Sequence, residues 1–288
     1  MNLAVRPSHL SMTPSSRDLM DRALEPHLLI GMPHMTPHGL SETWLMKELG
    51  HRHWLMLARD LGMDNADFRT IDGEEAYAAI CATSLTAARF NAVRANDILT
   101  IQSRISPLSR TQTSTTHVLS VAGGSIGHVE LISAFVRRQV KGCNRSITRV
   151  TVAKSEAKSF GVSPLAQQAA DIRNGRLQTH WELPLVGSDV LRSFRFDPSI
   201  TQDFNGAGLF YFAEFQAVAD RALETWYPGR KPVGRRDVFF LGNTEPNESV
   251  SFDLLQSVDQ DETFHGEIRR HTGEPIAKVF ISAQNACL

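Results

Sequence analysis

Residues 203–215 read DFNGAGLFYFAEF. Asp203, Asn205, Gly206 and Gly208 stand ahead of an aromatic, apolar run that continues as QAVADRALETW to residue 226. Apolar residues at this spacing predict a helix with a buried face. The polar loop before it has two readings: Asn205 caps the helix, as Asn commonly does, or the loop leaves the helix amino end open to a ligand. In the second case free backbone N–H groups would meet the ligand's oxygen, and glycine would allow close approach.

The same order occurs earlier in the chain. GMPHMTPHG (31–39) leads into LSETWLMKELGHRHWLMLARDLGM (40–63), where Ser41 is a cap, Trp44, Leu45, Leu49 and Met56 form a stripe, and Gly62 is a stop. Strand-like segments follow each helix. They are three in the first half: AYAAICATSL (76–85), DILTIQSRISPL with its continuation SRTQTSTTHVLSV (97–121) and SIGHVELISAFVRRQV (125–140). In the second they are RRDVFFLGN (235–243), ESVSFDLLQSV (248–258), TFHGEIRRH (263–271) and PIAKVFISAQ (275–284). Ala122-Gly123-Gly124 reads as a tight turn. The endings GGSIGHVELISAF and TGEPIAKVFISAQ place Ile126 with Ile276 and Val129 with Val279.

A glycine-led helix followed by an antiparallel meander, made twice, predicts an α+β double hot-dog fold: two repeats, each a central helix against a curved antiparallel sheet. Pairing the two sheets edge to edge removes an exposed strand edge from each. The expected divisions are an arm at 1–27, a first repeat at 28–153, a polar connector at 154–179 and a second repeat at 180–288.

Composition narrows the function classes. With 42% hydrophobic and 21% charged residues the chain reads as globular rather than disordered, and 30 basic against 31 acidic residues provide no global pull toward nucleic acid or membrane. No apolar run is long enough to span a bilayer, and the opening residues lack a signal pattern and read as a polar, mobile arm. Cys81, Cys143 and Cys287, an odd set without a close pair, fit a reducing cytoplasm. NGAGLF carries a partial G-x-G, but Tyr211 stands where a dinucleotide-binding fingerprint needs its third glycine and RFDPSITQD before it is a poor strand.

The segments MPHMTPHGLSETWLMKELGHRHW, AYAAICA, SRTQTSTTHVL, DFNGAGLFYFAEFQ and RRDVFFLGN together resemble a biosynthetic double hot-dog family of polyketide and nonribosomal-peptide gene clusters. That family is related to the bifunctional acyltransferase/decarboxylase of the leinamycin pathway. The resemblance implies an acyl-thioester-handling enzyme of specialised metabolism. Its activity would be acyl transfer, with or without decarboxylation of a malonyl- or methylmalonyl-CoA-type donor, loading an acyl carrier protein of an assembly line. It implies acyl-CoA and phosphopantetheine as substrates and no tightly bound cofactor, and it is compatible with a homo-oligomer. The rivals are a hot-dog thioesterase or dehydratase acting on a carrier-bound chain, and a non-catalytic protein that binds the carrier or the thioester.

The resemblance also implies a tyrosine nucleophile in the first strand after the first helix. Tyr77 is the tyrosine of that stretch, and the register leaves Cys81 and Thr83 as alternatives. Asn205 is a candidate donor to a thioester carbonyl, and His38, beside the first helix start, a candidate acid or base. The two helix starts supply the candidate binding backbone: Gly39, Leu40 and Ser41 in one, Gly206, Ala207 and Gly208 in the other. Pro37 spoils His34 and His38 as a metal pair, and no metal site is expected. His51 and His53 read as packing or polar-contact residues in mid-helix. Asp203 and Glu214 are further ionisable candidates, and Arg137, Arg138, Lys141 and Arg145 are candidates for CoA phosphates.

Overall fold

The computed structural model describes residues 13–152, 159–187, 189–258 and 262–284. Residues 1–12 of the expected arm, the first residues of the expected connector (to 158) and Cys287 lie outside these. Within the arm, helix α1 (Ser16–Ala23) is held by a reciprocal cap between Ser15 and Asp18, and its Met20 is buried with Leu55, Leu57, Ala58 and Phe68. The polar pattern concealed that anchor.

In the first repeat, β1 (His27–Leu29) and a small hairpin of β2 (Met35–Thr36) and β3 (Gly39–Leu40) lead into α2 (Glu42–Asp60). Ser41 caps α2 by accepting from the Trp44 N–H at 3.2 Å, and Gly62, at φ 66°, follows its last turn. The meander is β4 (Tyr77–Thr86), β5 (Ile98–Pro107), β6 (Gln112–Val121) and β7 (Gly124–Arg138), with β8 (Ile147–Arg149) alongside β7. Ala122 and Gly123 both take positive φ, as a two-residue hairpin demands.

The linking segment carries α3 (Pro164–Arg173) and a short hairpin of β9 (Thr179–His180) and β10 (Leu183–Pro184). The second repeat comprises β11 (Arg192–Phe196), α4 (Ile200–Asp203), α5 (Phe212–Trp226), β12 (Val233–Phe240), β13 (Val250–Val258), β14 (Thr263–Arg270) and β15 (Pro275–Ala283). β11 went unread in the sequence because its alternation, RSFRF, spans only five residues.

All the long strands join one antiparallel sheet in the order β1-β5-β6-β7-β4-β12-β15-β14-β13-β11, with β8 beside β7. The halves meet at β4 and β12 through four residue pairs, from Leu85–Arg236 to Ala82–Phe239. Both long helices lie on one face and touch, and there Gly50 is required: a Cβ at that position would stand 2.6 Å from the Phe212 ring. Val129 and Ile126 belong to the core under α2, Val279 and Ile276 to that under α5, and Ile80 and Phe212 pack against both. The opposite face at the seam is covered by the linking segment, with Leu165, Ile172, Leu183 and Leu185 on Ala82, Ile132, Phe239 and Phe280.

Two buried polar networks fix the helices to the sheet. Arg236 of β12, 1% exposed, pairs with Glu42 at the start of α2 (3.0 Å) and with Asp220 of α5 (2.8 Å). Burial, reinforced by Asp220 and opposed by Arg236, pushes the Glu42 carboxyl up to about 7. Under α2, His53 hydrogen-bonds Thr115 (2.8 Å) and Ser133 (2.7 Å), and His117 continues the chain from Thr115 (3.1 Å) to Ser103 (2.8 Å). Burial drives His53 and His117 down to about 3, as it does His265, which stacks on Phe280.

Replacing Arg236 with Met leaves Glu42 and Asp220 facing each other without their cation, and breaking a buried pair from one side costs about 3–5 kcal/mol. A urea titration of Arg236→Met is expected to lose stability of that size; an unchanged midpoint would mean the network contributes nothing net.

The three histidines are held below their unfolded value, so their contribution is complete above about pH 6.5 and is lost as pH falls toward 3. Each takes away about 1.4 kcal/mol per pH unit in that window. Glu42, raised in the fold, works the other way between its unfolded value of 4.5 and about 7, so across these four groups the unfolded chain holds about two more protons than the folded one between about pH 4.5 and 6. The melting temperature is therefore expected to fall steeply between pH 6 and 4.5. A flat profile there would show that the histidines are not held neutral.

Candidate functional site

The seam between the halves is short because the strands part. On the β7 side, β4 carries a bulge at Cys81, between the pairs Ile80–Ser133 and Ala82–Ile132. On the β12 side, pairing ends at Ala82–Phe239, so residues 77–81 of β4 diverge from Phe240 at the end of β12 and from 241–243 beyond it. Between them lies a cavity of about 690 Å³. Its apolar lining includes Ala79, Ile80, Val136, Phe212, Phe215 and Phe240, and α2 contributes Gly50, His53 and Trp54. This size and lining suit a small-molecule ligand.

The second predicted helix start faces this space. Asn205, Gly206, Ala207, Leu209, Phe210 and Tyr211 line the cavity, and a Cβ on Gly206 would meet nothing within 4 Å. Asn205 does not cap the helix, which begins seven residues later. Its Oδ1 accepts from the N–H groups of Ala207 and Leu209, both at 3.0 Å, which folds the loop and leaves Nδ2 as its other polar group. Gly208 takes a φ of 68°, and its carbonyl accepts from Asn144 Nδ2 at 2.9 Å. The α5 N-cap position is Tyr211, whose side chain makes no capping bond; its carbonyl accepts from the Glu214 N–H at 2.8 Å, which leaves the Phe212 and Ala213 N–H groups of the first turn without a side-chain cap.

Tyr77 and Cys81 line the same cavity. The Tyr77 hydroxyl donates to Glu75, and the Arg138 guanidinium lies over its ring, 5.4 Å from the centroid. Burial first, and then the bond and charge of Glu75, hold the phenol above its usual value. Arg138 also donates to the Asn144 side chain and to the Ala207 carbonyl, joining β7 to the 205–208 loop. Cys81 donates to the Ile132 carbonyl at 3.4 Å, and burial pushes its thiol up despite Arg149 and Arg173 nearby. Thr83 is buried in the seam, paired with Leu131 and Val238.

The first predicted helix start lies apart from this cavity. His38 is exposed at the tip of the β2–β3 hairpin, Leu40 is buried in the core, and Ser41 is occupied as the α2 cap. A Cβ on Gly39 would overlap the Phe90 carbonyl at 2.1 Å, so that glycine admits backbone rather than ligand. None of these four residues lines the cavity. The repeat explains the difference. Gly50 is the ninth residue of α2 and clears space for the α5 start; Asp220, the ninth of α5, instead faces the α2 start and closes it through Arg236 and Glu42.

Other expected residues are engaged elsewhere. His34 stacks on Trp44 and accepts from the Gly31 N–H, Asp203 accepts from the Ser199 N–H, and Glu214 pairs with Lys47 at 2.6 Å. Arg137 pairs with Glu74 and Arg145 with Glu248, while Lys141 is exposed beyond β7. Sequence reading missed Glu75, Trp54, Arg149 and Arg173. Glu75 precedes Tyr77 by two residues, the spacing that puts two side chains on one side of an extended segment, and was legible on that ground. Arg149 and Arg173 reach the cavity only through the fold.

No helix among the described residues is long and apolar enough to cross a membrane. No family model matches the chain, and no curated protein matches it in sequence. Solved structures do. An acyl-ACP thioesterase from Bacteroides thetaiotaomicron superposes with a TM-score of 0.62 at 11% identity, over 89% of this chain and 95% of its own. A Lactobacillus plantarum chain described as an oleoyl thioesterase gives 0.65 at 11% identity, over 89% and 92%. The 12:0-ACP thioesterase from Umbellularia californica gives 0.61 at 9%, over 88% and 94%. With two helices on one continuous antiparallel sheet and this likeness along nearly its whole length, the chain has the α+β double hot-dog fold.

Proposed function

We propose that the protein is a thioesterase, hydrolysing an acyl chain carried on a phosphopantetheine arm or on CoA. The observation that carries this reading is that Tyr77, Asn205 and the uncapped amino end of α5 line one acyl-sized, mainly apolar cavity. Similarity to three thioesterase structures adds to it. The chain would lie among Ala79, Ile80, Phe212, Phe215 and Phe240, with the carbonyl oxygen toward the first N–H groups of α5 and the Asn205 amide. Those donors are fixed before reaction and face the charge that develops on that oxygen.

Water then adds to the carbonyl carbon. Its proton passes through the Tyr77 hydroxyl to the Glu75 carboxylate, and the same path returns a proton to the sulfur as the carbon–sulfur bond breaks. A phenol held above its usual value suits this role as a neutral proton carrier better than attack as a tyrosinate.

A second reading is acyl transfer, with or without decarboxylation of a malonyl-type donor, in which the thiol of a holo carrier protein takes the place of water. Its support is that Tyr77 opens β4, the first long strand after α2, and that both Tyr77 and Cys81 line the cavity. This is the strand in which the resembled biosynthetic family carries its nucleophile.

The test is thiol release from a panel of acyl-CoA and acyl-carrier substrates, with the carrier followed by intact mass. Hydrolysis is expected, with kcat lowered about 10²–10⁴-fold by Tyr77→Phe and by Glu75→Gln at nearly unchanged KM. Acyl or decarboxylated acyl groups appearing on the holo carrier would establish the transfer reading instead. Binding without either product would identify a carrier or thioester binder.

A further inference from the structure

Four arginines line the cavity, and they divide by partner. Arg145 and Arg270 hold Glu248 and Glu274. Arg149, the last residue of β8, is exposed and forms no ion pair among the described residues. Arg173, the last residue of α3, donates to the main-chain carbonyls of Phe240 (2.5 Å) and Leu241 (3.2 Å), which orient it without neutralising it. Arg173 is exposed as a residue, but partial burial of its guanidinium, opposed by Cys81 and reinforced by Arg149, disfavours its cationic form. Two guanidiniums, one of them fixed, thus flank the space beside Cys81, and neither is paired with a carboxylate among the described residues.

We infer that Arg149 and Arg173 form an anion subsite at the cavity mouth that takes a phosphate of the thioester's carrier. A guanidinium has five N–H donors, so Arg173 keeps donors free after its two carbonyl bonds, and a fork of this kind matches phosphate oxygens. The polarity of the cavity sets the direction. Its apolar lining belongs to the acyl chain and its exposed cation to the mouth, so the phosphate stays outside while the thioester enters. Thr148, also in the lining, adds a hydroxyl donor on that side. The inference rests on the acyl-thioester reading of this cavity but not on hydrolysis, and binding alone tests it.

The probes are free CoA, 4′-phosphopantetheine and pantetheine, titrated calorimetrically into the wild-type protein and into Arg149→Gln, Arg173→Gln and the double variant. Arg149 forms no ion pair among the described residues, so Arg149→Gln is expected to melt with the wild type; Arg173→Lys keeps the charge if Arg173→Gln unfolds. Wild-type protein is expected to bind CoA, about tenfold or more weakly in each Gln variant, with a strong salt dependence and no matching change for pantetheine. Equal losses for CoA and 4′-phosphopantetheine would locate the phosphate of the arm; a loss confined to CoA would locate those of its adenosine end. No CoA binding by the wild type, undiminished binding by the double variant, or equal losses for pantetheine would each overturn the subsite. Arginine-dependent CoA binding without thiol release would sustain the subsite while removing the hydrolase reading.

Discussion

Everything that distinguishes this protein's two halves traces to four residue pairs. Between Leu85–Arg236 and Ala82–Phe239 the two sheets are one, and past Cys81 and Phe240 they are not. Side-chain contacts on both faces add to those backbone bonds. The helix face is held by Arg236 reaching Glu42 and Asp220, and the opposite face by the linking segment, with His180 on Asp237 (2.8 Å) and Ser84 on the same carboxylate (2.6 Å). The bulge at Cys81 lets β4 leave β12, and the space it opens is the cavity. The seam is therefore the source of both the stability and the site.

The pseudo-symmetry of the fold makes its asymmetry informative. Each repeat presents a helix start to the ninth position of the other helix. At one contact that position is Gly50, and the α5 start remains beside open space; at the other it is Asp220, and the α2 start is sealed by an ion-pair network. Burying those charges is costly unless they are paired, so they cannot be incidental to that end of the molecule. One potential site is filled with structure while the other is kept empty.

Much of the fold was legible because it rests on local patterns: Ser41 and Gly62 at the ends of α2, the Ala122-Gly123 turn, and the matched Val129 and Val279 in the two cores. The candidate site was legible only in part. Tyr77, Cys81, Asn205, Gly206 and Ala207 share the cavity; the family resemblance pointed to the first two and the glycine-led loop to the other three. The equivalent reading of His38, Gly39, Leu40 and Ser41 relied on repeat symmetry, which the Arg236 network breaks across a distance in sequence that periodicity does not register. Asn205 shows a related limit, since its bonds to Ala207 and Leu209 fold a loop rather than cap a helix. Arg149 and Arg173 lie on separate elements, β8 and α3, and meet only through the topology.

The central claim is that the open end of α5, and not that of α2, receives the acyl thioester. A crystal structure with a non-hydrolysable thioether or amide analogue of acyl-CoA tests this directly. The account predicts the acyl chain in the seam cavity, its carbonyl within hydrogen-bond distance of the first N–H groups of α5 or of Asn205, and no ligand at the α2 start. An analogue seated beside Gly39 and Ser41, or with its carbonyl turned away from α5 and Asn205, would contradict it.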